Sequence, residues 1–112
     1  MIGLEDFYED ILGKAMRGVG IGKNEMAHRL GLEKSEIEAV LNGEVDEALI
    51  KRMSEELKLD GTKLIRSACK EWSPAPIELI GLKQISSTYG DMIVNAYIIW
   101  DQATHKAWAF DT

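Results

Sequence analysis

Cysteine, proline, histidine and basic charge are all scarce in this chain, and each shortage excludes something. A single cysteine, Cys69, forms no intrachain disulfide, so a reducing, cytoplasmic setting is expected. The thiol itself is expected to be a small buried hydrophobe on a helix. The two histidines, His28 and His105, fall in different parts of the chain. They read as an exposed helix residue and a turn residue, and they assemble no zinc cluster. No metal or other cofactor is therefore expected. Apolar runs stay far below the roughly 20 residues that span a bilayer, so no membrane partner is expected. The opening MIGLEDFYED is acidic and lacks the basic-then-apolar order of a secretory signal. Lysine and arginine number 13 against 19 acidic residues, a net charge of −6. Residues 1–72 alone carry 11 basic against 15 acidic side chains. Phosphate contacts supply most non-specific nucleic-acid affinity, so this balance is unusual for a nucleic-acid binder.

What is present is a core. Hydrophobic residues make up 46% of the chain, enough for a packed domain with a small appendage. Both prolines sit in Ser73-Pro74-Ala75-Pro76, a stiff extended link. Before it, apolar residues recur at three and four, as on helices. After it they come in runs and alternations rich in Ile, Val, Tyr and Trp, as on strands. The fold class is therefore α+β: a helical domain over 1–72, a linker at 73–76, and a small three-stranded antiparallel sheet over 77–112.

Five helices fit the first part. They are expected over about Leu4 to Arg17, Lys23 to Leu30, Lys34 to Leu41, Glu47 to Leu57, and from Asp60 to about Glu71. Phe7, Ile11, Leu12 and Met16 form the stripe of the first. Asp46 and Asp60 are short acceptors placed to cap the fourth and fifth. The expected core is Leu12, Met16, Ile21, Met26, Ala27, Leu30, Leu32, Ile37, Val40, Leu41, Leu49, Ile50, Met53, Leu57, Leu59, Leu64 and Ile65.

The densest information lies in Asn24 to Gly43, NEMAHRLGLEKSEIEAVLNG. Ala27 is small where two helices meet closely. Gly31 ends one helix and accepts a left-handed backbone. Leu32 plugs the turn, Ile37 and Val40 face inward, and Asn42-Gly43 ends the second helix. This register resembles the phage-repressor-like (XRE-type) helix-turn-helix family over roughly Leu4 to Ala68. The resemblance implies a DNA-binding regulator whose second helix reads base edges with Lys34, Ser35, Glu36, Glu38 and Ala39. It also implies that Lys23, first in the preceding helix, touches a phosphate. Two departures stand out. Glu33 occupies the cap where the family prefers Ser or Thr, and Glu36 and Glu38 replace polar or basic readers. Glu44 adds to this acidity, while Lys23, Arg29, Lys34, Lys51 and Arg52 offset part of it.

The second part reads as strands over Ile77 to Ile85, Met92 to Trp100 and Lys106 to Asp111. A turn is expected at Tyr89-Gly90-Asp91 and a hairpin closure from Asp101 to His105. Both faces of the middle strand are largely apolar, so both call for cover. The segment VNAYIIWDQATHKAWAFDT resembles the opening strands of metallo-β-lactamase-fold hydrolases, with Asn95, Tyr97, Asp111 and Thr112 at the matching places. The family's His-x-His-x-Asp-His run is not in this sequence, so no catalysis is expected of it. The helical domain is expected to cover one face, and a second copy the other face or edge. Ile98, Trp100, Trp108 and Phe110 are the candidate dimer residues. Two functions follow from the sequence: a dimeric DNA-binding regulator, or a non-catalytic interaction and oligomerisation module of a metallo-β-lactamase-fold hydrolase.

Overall fold

A computed structural model describes residues 3–90 and 92–110. Five helices are followed by a three-stranded antiparallel sheet, the α+β arrangement expected. The chain divides into two compact units, one of residues 6–72 and one that joins residues 3–5 to the segment from Ser73 onward.

In the helical unit α1 (Tyr8–Val19), α2 (Lys23–Leu30), α3 (Lys34–Leu41), α4 (Glu47–Glu56) and α5 (Gly61–Ala68) enclose one core. Helix α1 buries Tyr8, Leu12 and Met16, spaced one turn apart on one face. The first helix thus begins four residues later than its sequence pattern suggests. The Asp10 carboxylate accepts the Phe7 N–H at 3.0 Å and stops the helix there, which leaves Phe7 outside it and half exposed. At the end of α2, Gly31 takes φ +65°, and the Leu32 N–H reaches back to the Ala27 carbonyl at 2.9 Å. That six-to-one bond is the Schellman closure, and its backbone geometry disfavours any residue with a Cβ. Asp46 and Asp60 cap α4 and α5, accepting the N–H groups of Leu49 at 2.9 Å and Lys63 at 3.1 Å. Helix α5 ends at Ala68 rather than near Glu71, because Lys70 turns to φ +57° and the Glu71 N–H folds back to the Arg66 carbonyl.

The core buries Leu12, Met16, Ile21, Met26, Ala27, Ile37, Val40, Leu49, Ile50, Met53, Leu57 and Leu64. Leu30, Leu32, Leu41, Leu59 and Ile65 pack against it at its margin. Fully buried Ser54 donates to the Ile50 carbonyl at 2.6 Å, so this polar residue costs little inside the core. Cys69 is exposed rather than buried. It is the C-cap of α5, beyond the inward stripe, and its Sγ lies 3.7 Å from Glu47 Oε1. Desolvation, with Glu47 and Glu71 nearby, raises the thiol's pKa, which disfavours the reactive thiolate.

In the sheet unit the order is β1 (Leu82–Tyr89), β2 (Met92–Trp100) and β3 (Ala107–Phe110). The first strand is displaced from the expected Ile77 to Ile85. Gly81 sits at φ +83°, where an added Cβ would meet the Trp100 carbonyl at 2.8 Å, so the chain bends there before pairing. Pairing then runs antiparallel from Leu82 opposite Ile99 to Tyr89 opposite Met92. Residue Asp91 of the expected Tyr89-Gly90-Asp91 turn, and Asp111 and Thr112 of the third strand, lie outside the described residues. The closure from Asp101 to His105 is present. Asp101 Oδ1 accepts from Ala103 and Thr104 at 2.8 and 2.9 Å, and His105 takes φ +58°.

Candidate nucleic-acid interface

Lys23, expected to touch a phosphate, opens α2, and Lys34, expected to read a base edge, opens α3. Glu38, one turn along α3, stands between them: its Oε1 lies 3.4 Å from Lys23 Nζ and 3.3 Å from Lys34 Nζ. The contact with Lys34, then that with Lys23, holds the Glu38 carboxyl below the usual range, so it is ionised at neutral pH. The cluster keeps a single net positive charge.

Glu36 has a different task. Its carboxylate accepts the Glu33 N–H at 2.9 Å, the acidic half of a capping box. A negative group therefore occupies the start of α3, where backbone N–H groups would otherwise be offered to an anion. Ser35 is exposed beside it. Ala39 is half buried and lines a small cleft of about 270 Å3 with Glu36, Val40, Glu44 and Leu49. Of the six residues expected to meet DNA, three thus form one ion-paired cluster. Glu36 serves the helix, and exposed Ser35 and half-buried Ala39 both line the α3–α4 cleft.

The remaining offsetting bases are largely engaged. Arg29 pairs with Glu25 at 2.6 Å and Glu56 at 3.5 Å, and Glu25 above all raises its pKa. Arg52 donates to the Leu30 carbonyl. Among the described residues Lys51 makes no ion pair. His28 is an exposed helix residue and His105 belongs to the turn, as expected. No group of three or more His, Cys, Asp or Glu side chains among the described residues is arranged to hold a metal ion. No helix among them is long and apolar enough to cross a membrane.

The four candidate dimer residues divide between the two faces of the sheet. Side chains alternate along a strand, and directly paired residues share a face. The register puts Trp108 and Phe110 on one face, beside Ile99 and Tyr97. Ile98 and Trp100 lie on the other, with Ile85 and Met92. One flat partner surface therefore covers two of the four, not all. The Trp108 face carries no charged side chain among the described strand residues, whereas the opposite face carries Lys83. Trp108 and Phe110 are 55% and 52% exposed.

Sequence reasoning named Asn95 only through the resemblance and missed its buried network of hydrogen bonds. The residue is 6% exposed in the middle of β2 and is fully engaged. Its Oδ1 accepts from Ser86 at 2.6 Å and Gln84 at 3.1 Å, and its Nδ2 donates to the Gly3 carbonyl at 3.1 Å. Its backbone N–H donates to Glu5 at 2.6 Å. The signal was the lone amide in the run Met92 to Trp100, since a polar group inside an apolar strand needs partners. Likewise, the Lys34–Glu38 spacing of four and the Glu33–Glu36 spacing of three both announce local pairs.

No protein-family model, curated protein or solved structure matches this chain.

Proposed function

We propose that the chain is a non-catalytic association module in which a helix-turn-helix unit accompanies a sheet that pairs with a second copy. The sequence of the segment from Val94 onward resembles the opening strands of the metallo-β-lactamase fold, and the module's role is to orient or oligomerise a hydrolase of that kind. One observation carries the reading: a sheet face whose described strand residues carry no charge, on a chain of net charge −6, with Tyr97, Ile99, Trp108 and Phe110 exposed on it. Two acidic copies repel wherever charge meets charge, so an uncharged aromatic face is where they associate at least cost. A two-fold contact also presents the same face from both sides. Light scattering on the purified chain at about 10 µM, far above the dissociation constant of a stable dimer, is expected to give twice the monomer mass. A monomer there rejects the reading.

The second reading, a DNA-binding regulator, is favoured by the convergence of Lys23 and Lys34 at the starts of adjacent helices. It requires retention of genomic fragments at low salt, falling steeply as salt rises. The association reading requires none.

A further inference from the structure

Exposed lysines usually point separately into solvent. Here two, from different helices, meet on one carboxylate oxygen, at 3.4 and 3.3 Å. Each is the first residue of an eight-residue helix; at α2 the backbone N–H groups add partial positive charge, whereas at α3 the Glu36 carboxylate offsets them. A carboxylate oxygen and a non-bridging phosphate oxygen accept from ammonium groups in the same way. We propose that Glu38 is an internal competitor for phosphate, occupying between Lys23 and Lys34 the place that a backbone phosphate of a duplex nucleic acid would take. The face then has the cations such a ligand needs and is held closed by its own side chain. This inference goes beyond the association reading and does not depend on it.

The neighbouring charges single out Glu38. Glu36 is engaged by the Glu33 N–H, and Glu25 by Arg29, so neither contacts the two lysines. Removing the Glu38 charge frees both ammonium groups at once and doubles the net charge of the cluster. All three side chains are partly exposed, so the substitution leaves the core untouched.

The test compares the wild type with Glu38→Gln on a duplex DNA of mixed sequence, about 20 base pairs long, by fluorescence anisotropy at about 50 mM and 200 mM salt. Glu55→Gln is the control, because it makes the same charge change on α4, where Glu55 forms no ion pair among the described residues. Glu38→Gln is expected to tighten binding about tenfold or more and to steepen the log–log salt dependence by about one to two, one phosphate contact per freed lysine. Adding Lys23→Gln and Lys34→Gln to that variant is expected to abolish the gain. Circular dichroism verifies that every variant is folded. An unchanged affinity in Glu38→Gln, an equal gain in Glu55→Gln, or a gain that survives loss of both lysines overturns the proposal. Light scattering of Glu38→Gln reports the association reading separately, since the substitution lies outside the sheet.

Discussion

Tyr8 is 5% exposed in the helical core, yet its hydroxyl has no hydrogen-bond partner among the described residues, and neither does the buried Oε2 of Glu9. Burial first, then the Glu9 and Glu44 charges, raise the phenol's pKa above 10.0. The folded state therefore holds the proton more tightly than the unfolded state does. The resulting stability is complete below about pH 10 and is lost as pH rises beyond it. Tyr8→Phe removes an unsatisfied buried group, so stability near neutral pH is expected to stay within about 1 kcal/mol of the wild type or to rise. The alkaline loss should shrink with it. Urea unfolding of both proteins at about pH 7 and about pH 11 measures this. Phe7 and Tyr8 also show why a stripe is easier to infer than its edge. Both aromatics satisfy a helical period, and only the Asp10 cap decides that the helix starts at the second.

At the scale of elements, caps were the legible part. Asp46 and Asp60 precede amphipathic runs, and a short acceptor there has one obvious task. Asp46→Ala is expected to cost about 1 kcal/mol by thermal or urea unfolding. Asp60 titrates below its ordinary value of 3.8, chiefly because the Lys63 backbone N–H donates to it. The unfolded chain thus binds the proton more readily, so this cap's contribution is present above that value and fades as pH falls through the lower folded pKa. Asp60→Asn should flatten the part of the acid unfolding curve below about pH 4. Strand starts were less legible. The apolar run from Ile77 to Ile80 looks like strand, but its position before the Gly81 bend is fixed by register with β2, a long-range pairing that local pattern does not contain.

At the scale of the whole molecule, the two faces of the sheet make different forecasts. Trp108→Asp puts a charge on the uncharged face and is expected to convert a dimer to a monomer in light scattering. Trp100→Asp, on the opposite face, should leave the dimer in place. The reverse result would move the contact to the Ile98 and Trp100 side. The α2–turn–α3 boundaries were readable because each of their constraints is local, whereas the pairing of Lys23 with Glu38 joins residues 15 apart and needed the fold. The Asn95 network was hidden for the same reason, since it reaches back 92 residues to Gly3 and 90 to Glu5. That reach changes what a domain boundary means for this chain. Residues 3–5 are part of the sheet unit, so in chain order the helical unit is an insertion between two pieces of it. Trimming the first five residues would therefore injure the strands at the far end of the sequence before it disturbed the helix next door.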